Sequence, residues 1–139
     1  MTASHSSAGR YILTSVALFT AIAPFVADFN TTHIYNPSWP AHAKFHNGQT
    51  MSMGVFLGLS TLYYTWRTPA TPDTLFTATM LATAYYITLL SSWFYPGAKP
   101  GPEDSPDDFS QLWPSLGIFA LSAGAHVLER KRIRGMKTE

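Results

Sequence analysis

The chain predicts an all-α fold, a polytopic integral membrane bundle of four transmembrane helices, on two observations. Residues 11–27, 45–66, 74–98 and 109–128 contain no Asp, Glu, Lys or Arg. Each run approaches the roughly 20 residues that a helix rising about 1.5 Å per residue needs to cross a bilayer. Charged residues make up 12% of the chain, about half the level usual in soluble domains, too few to give four helices polar outer faces. The mean hydropathy of +0.02 is low for such a protein because the loops are polar. Thr, Ser, Tyr, Trp and Gly within the runs lower it further without opposing insertion.

With 139 residues there is room for a single membrane domain, residues 1–139. The first span covers about 11–28, with Pro24 a source of a kink near its end. Arg10 ahead of an apolar run resembles a signal peptide, but the cleavage positions are poor: Ala23 precedes Pro24, and Ala27 has Phe25 close by. The span is therefore read as retained. A polar loop over 29–45 follows, and Pro40 suits the first turn of the second helix, after Ser38 or Trp39 as cap. That helix crosses the membrane over about 46–66 and stops at the breaker-rich segment 67–72. The third span, about 74–95, has Asp73 as its expected cap and ends at Pro96-Gly97. An acidic, Pro-rich loop over 97–110 leads to the fourth span, about 111–129, and a basic tail, 130–139.

Five of the nine Lys and Arg residues fall between Arg130 and Lys137, directly after an apolar span, so anchoring beside anionic headgroups explains them better than nucleic acid. Arg10, Arg67 and the tail lie on one side, which places both termini in the cytoplasm and the 29–45 and 97–110 loops outside the cell or in a lumen, such as that of the endoplasmic reticulum. Trp66, Trp93 and Trp113 fall at helix ends, as interfacial indoles do. Cysteine is absent, which excludes disulfides, thiolate metal sites and a cysteine nucleophile.

The densest chemistry lies between Asp28 and His46, which holds three of the five histidines. His42 and His46 are four apart and share a helix face, with Gln49 continuing it. A short loop can bring Asp28 and His33 beside them. Asp28, His33, His42 and His46 are the candidate catalytic residues, converging where the bundle meets the lumenal interface. Imidazoles and a carboxylate suit a zinc, iron or copper ion, and no other cofactor is required. Equally, a histidine paired with Asp28 can transfer protons near neutral pH. The competing view is that these histidines are hydrated loop residues.

Elsewhere, Tyr85 and Tyr86 sit mid-span, where a hydroxyl facing lipid lacks a partner, so at least one should turn inward. Together with Gln49 they are the candidate substrate-binding residues. His126 is expected to bond between helices or to be hydrated at the interface. Gly54 and Gly58 form a GxxxG ridge and Ala120 with Gly124 a second one; both suit close helix packing, and the first also suits a homo-oligomer. Glu129 is expected to be solvated among the tail cations. Asn30-Thr31-Thr32 is a glycosylation sequon, but its place beside the membrane favours local loop hydrogen bonds. The acids at 103, 104, 107 and 108 are read as a solvated face.

The segment from Asp28 to His46 resembles the signature of a small, uncharacterised, fungal-type family of four-helix membrane proteins, D-x-N-x-T-H-x-x-N-P-x-W-P-x-H-A-K-F-H, with every defined position present. The resemblance covers the first two spans and implies a multi-pass membrane location without a reaction. A looser likeness is to the four-helix sterol-isomerase and sigma-2-receptor fold, whose helices enclose a pocket with acidic residues. Asp28 parallels one such acid, but the second and third spans here hold none.

The expected function is that of an enzyme or tailoring factor acting on a lipophilic small molecule by isomerisation or cyclisation. A non-catalytic lipid-binding or assembly-partner protein is the alternative. A transporter fits less well, since the chain is small and lacks a repeat.

Overall fold

The computed structural model describes residues 7–101 and 107–136. Four α-helices make up the architecture, with no strand among the described residues: α1 (Ala8–Asp28), α2 (Ala41–Trp66), α3 (Pro72–Ser91), extended by a 3₁₀ turn over Ser92–Phe94, and α4 (Leu112–Gly135). Of these, α1 and α3 with its 3₁₀ extension are long and apolar enough to cross a membrane. The polar first turns of α2 and the basic last turns of α4 set those two helices apart.

Local chemistry accounts for most boundaries. Ser7 caps α1 by accepting from the Arg10 N–H at 3.3 Å. Pro40 stands one position earlier than expected, as the residue before α2, and no side chain caps that helix. Thr71, and not Asp73, caps α3: its hydroxyl accepts from the Thr74 N–H at 3.1 Å while its own N–H donates to Thr74 Oγ1 at 2.9 Å. Asp73 lies in the first turn, where a carboxylate complements the helix dipole. Helix α4 does not stop near 129 but continues to Gly135. Nothing between Arg130 and Arg134 breaks a helix, and cations in a last turn are favourable. In the 97–110 loop, Asp107 pairs with Lys99 at 2.8 Å, both exposed, while Glu103 and Asp104 lie outside the described residues.

Neighbouring helices run antiparallel around the bundle in chain order. Helix α1 touches the other three, α3 touches α2 and α4, and α2 and α4 do not meet. Gly54 and Gly58 create the closest seam. A Cβ at Gly54 would sit 2.7 Å from the Thr20 carbonyl oxygen, and one at Gly58 2.6 Å from that of Ala17. The Gly54/Gly58 ridge, expected to suit close helix packing or a homo-oligomer, is thus packed against α1 of the same chain. The second ridge does the reverse: Ala120 and Gly124 are exposed and Gly124 has no neighbour within 4 Å.

The core joins Leu13, Val16, Leu75, Ala78, Ala82, Tyr86, Ile118 and Ala125. Hydroxyls accompany them: Thr20, Thr61, Ser115 and Ser122 are buried. Large apolar side chains instead point outward on every helix, among them Leu18, Ile22 and Val26 of α1, Phe56 and Leu59 of α2, Phe76 and Ile87 of α3, and Leu116 and Val127 of α4. His126 Nδ1 meets Thr79 Oγ1 at 2.9 Å, joining α4 to α3 as one of its two expected roles.

At the end of the bundle where α1 begins and α4 finishes, Glu129 is 2% exposed and Arg10 3%. The expected solvation of Glu129 is therefore overturned. Its carboxylate accepts from Ser7 Oγ, receives Arg132 Nε at 2.8 Å and faces Arg10 Nε at 3.9 Å. Arg10 in turn lies over the Trp66 ring at 5.3 Å. Burial of this carboxylate follows from its position one helical face with Ser122, Ala125 and Ile133, all of which point at the core.

Candidate functional site

At the opposite end the polar residues of 28–49 fall into two groups. The first surrounds Asp28, the last residue of α1. Its Oδ2 accepts from Asn47 Nδ2 at 2.8 Å across the α1–α2 seam, and His33 Nε2 approaches Oδ1 at 3.8 Å. The loop between them is held by its own side chains. Asn30 Oδ1 accepts from both the N–H and the hydroxyl of Thr32, at 2.8 and 2.6 Å, as its sequence position suggested. Thr32 Oγ1 lies 2.8 Å from His33 Nδ1, and the His33 ring meets Trp39 edge-on at 5.0 Å. This arrangement fixes the imidazole on the carboxylate side of the loop.

The second group is His42, His46 and Gln49 on the exposed face of the first turns of α2. His46 Nε2 lies 3.0 Å from His42 Nε2, and His46 Nδ1 lies 3.2 Å from Gln49 Oε1. Among the described residues no hydrogen bond, ion pair or ring contact joins this group to Asp28 or His33. Among the described residues no group of three or more His, Cys, Asp or Glu side chains is placed to hold a metal ion. The four expected catalytic residues therefore pair two and two. The helix turns His42 and His46 away from α1, while Asn47, one residue on, faces it.

Beside Asp28 opens a cavity of about 230 Å³. Its walls are mainly apolar, with Phe19, Ala23 and Pro24 from α1, Leu89 from α3 and Pro114 from α4. Asp28, Thr50, Tyr85, Tyr86, Gln111 and Ser115 are the polar residues in its lining. Tyr86 is the tyrosine that turns fully inward, 4% exposed, and its hydroxyl lies 3.1 Å from Thr20 Oγ1 of α1. Tyr85 is half-buried and its hydroxyl makes no hydrogen bond among the described residues. Both tyrosines thus line the cavity, as a pocket-lining role required. Gln49 does not; its neighbour Thr50 takes that place. His33, His42 and His46 also stand outside the walls. A second groove of about 340 Å³ on the outer surface between α1 and α4 shares Phe19 and Pro114 with the first.

Three polar residues here were not singled out in the sequence. Asn47 lies inside the run of polar residues that opens α2, and the i, i+3 spacing from Lys44 gave no reason to prefer it. Gln111 precedes the fourth helix and Thr20 sits in an apolar span. Only their convergence with Asp28 and Tyr86, from distant parts of the chain, marks them.

Fold and site together define an all-helical bundle with one oriented carboxylate set into an apolar cleft between helices. The chain belongs to a family of unknown function (DUF6640), whose model matches residues 12–139. No curated protein and no solved structure matches it.

Proposed function

We propose that this protein is a four-span membrane protein that admits a lipophilic small molecule to the Asp28 cleft and moves a proton on it, as an isomerase or cyclase does. One observation carries this: the Asp28 carboxylate, oriented by Asn47 at 2.8 Å, lines an apolar cavity together with the hydroxyl-bearing Tyr85 and Tyr86. A pocket that is mostly apolar with a few convergent polar groups is the usual form of a small-molecule site. Asp28 supplies the base and the unpaired Tyr85 hydroxyl the opposing donor, and both roles need only hydrogen-bond reach of the same ligand. Asp28 with its His33 neighbour keeps the proton-transfer role expected of the histidine cluster, while His42 and His46 leave the catalytic set.

Four spans are supported by the distribution of side chains. All four helices turn large apolar residues outward and keep hydroxyls, Arg10 and Glu129 inside, the opposite of a water-soluble bundle. Both termini then lie in the cytoplasm by the Lys/Arg asymmetry, and the Asp28 cleft opens near the lumenal side, with the endoplasmic reticulum as the proposed membrane. The outer α1–α4 groove gives the ligand a lateral route from the bilayer.

The test compares lipid extracts from cells expressing the wild-type chain and Asp28→Asn. Isomerisation predicts a species of unchanged mass and altered retention that disappears with the variant. Non-catalytic binding uses the same cleft and predicts instead a compound that copurifies with wild type, falls at least about tenfold with Asp28→Asn, and is not converted. Identical profiles for the two proteins, in the extracts and in the copurified lipid, would refute the site.

A further inference from the structure

From the second polar group we infer that His42 and His46 form a two-histidine chelate for a divalent transition metal, with Cu²⁺ the preferred ion. The site stands apart from the Asp28 cleft and shares no residue with it.

Three features of the geometry point to a metal. The first is the bite. Two nitrogens at about 2.0–2.1 Å from one ion, at right angles, are separated by about 2.9 Å; at a tetrahedral angle they stand about 3.3 Å apart. The His42 and His46 Nε2 atoms lie 3.0 Å apart, which suits cis positions of a tetragonal ion. Tetragonal nitrogen and oxygen sites select Cu²⁺ or Ni²⁺, and the general affinity order favours copper.

The second is the tautomer. His46 Nδ1 faces Gln49 Oε1, a carbonyl oxygen that can only accept, so the His46 proton resides on Nδ1 and Nε2 presents a lone pair. A ligating histidine characteristically donates its other ring N–H to such a partner. In the metal-free neutral pair, His42 Nε2–H donates to that lone pair. On binding, the ion takes the place of this proton: His42 loses it from Nε2 and gains one at Nδ1 from water, with no net proton released and no redox change.

The third is access. His42, His46 and Gln49 are all exposed, so water can fill the remaining coordination positions, and the helix already holds the rings together at an i, i+4 spacing. Phe45 stacks on His42 with ring planes 9° apart, which limits the motion of that imidazole. His33, bonded to Thr32 and packed on Trp39, belongs to the other group.

The experiment titrates untagged, full-length protein in detergent with Cu²⁺ and reads the bound ion by electron paramagnetic resonance and its pulsed nitrogen signals. One Cu²⁺ per chain with two coupled imidazoles is expected. His42→Ala and His46→Ala should each lower affinity at least tenfold and leave one imidazole or none, with unchanged helix content by circular dichroism. Gln49→Ala should weaken binding by about tenfold while keeping two imidazoles. His33→Ala should bind as wild type. Wild-type spectra with one imidazole, binding no stronger than that of both alanine variants, or equal loss with His33→Ala would each overturn the assignment. None of these outcomes depends on Asp28.

Discussion

Replacing a glycine by alanine tests the α1–α2 seam, because the structure assigns opposite signs to three positions on helices. At Gly58 the added methyl would meet the Ala17 carbonyl oxygen at 2.6 Å and Ala21 Cβ at 2.9 Å. At Gly54 it would meet the Thr20 carbonyl oxygen at 2.7 Å and the rigid Pro24 ring at 2.9 Å. Ordinary contact begins at 3.4 Å, so the helices must part by roughly 0.8 Å at Gly58, and the nearest obstructing atom at each position is a backbone carbonyl oxygen. Overpacking of this kind costs about 1–3 kcal/mol, while alanine returns about 0.5–1 kcal/mol of helix propensity. The expected net loss is about 1–2 kcal/mol for Gly54→Ala and Gly58→Ala. Gly124→Ala meets nothing within 4 Å and should gain about 0.5–1 kcal/mol. Unfolding of the micelle-bound protein by SDS titration, followed by far-ultraviolet circular dichroism, measures all three. If Gly58→Ala proves as stable as Gly124→Ala, the two helices do not approach as described and the Asp28–Asn47 bond across the same seam loses its support.

Two further substitutions probe the bundle's polar interior. Glu129→Gln removes the buried carboxylate charge that receives Arg132 Nε at 2.8 Å and faces Arg10 Nε at 3.9 Å, and a loss of about 3–5 kcal/mol is expected in the same titration. Wild-type stability would show that the cluster is solvated. Tyr86→Phe removes the hydroxyl that meets Thr20, which should cost about 1 kcal/mol and lower the copurified ligand less than Asp28→Asn does. An equal effect on stability from Tyr85→Phe would refute the distinction drawn between the two tyrosines, because Tyr85 makes no such bond.

Much of the local structure was legible in the residues. The charge-free runs located four helices, and the ends at Asp28 and Trp66 coincide with those expected. Asn30 and Thr32 were recognisable as loop-holding residues because an Asn side chain two positions before an N–H closes a turn with no help from the rest of the fold. The departures have equally local causes: Thr71 outcompetes Asp73 as cap through a reciprocal bond with Thr74, and α4 runs on past Glu129 because no Gly or Pro lies between that residue and Gly135.

Spacing along the chain, charge and the breaker residues were sufficient to determine helix number and order, because each helix closes its own backbone hydrogen bonds. They also marked Asp28, Tyr85 and Tyr86 as polar groups in need of partners. Which partners they meet was decided only by the packing of helices remote in sequence. Burial of Gly54 and Gly58 under α1 brings Asn47 to Asp28 and turns His42 and His46 outward. The antiparallel docking of α4 on α1 encloses Glu129 at one end and sets Gln111 into the cleft at the other. A helix face is a property of one segment, whereas a site needs several faces aligned, and that alignment rests on side-chain volumes meeting across the bundle.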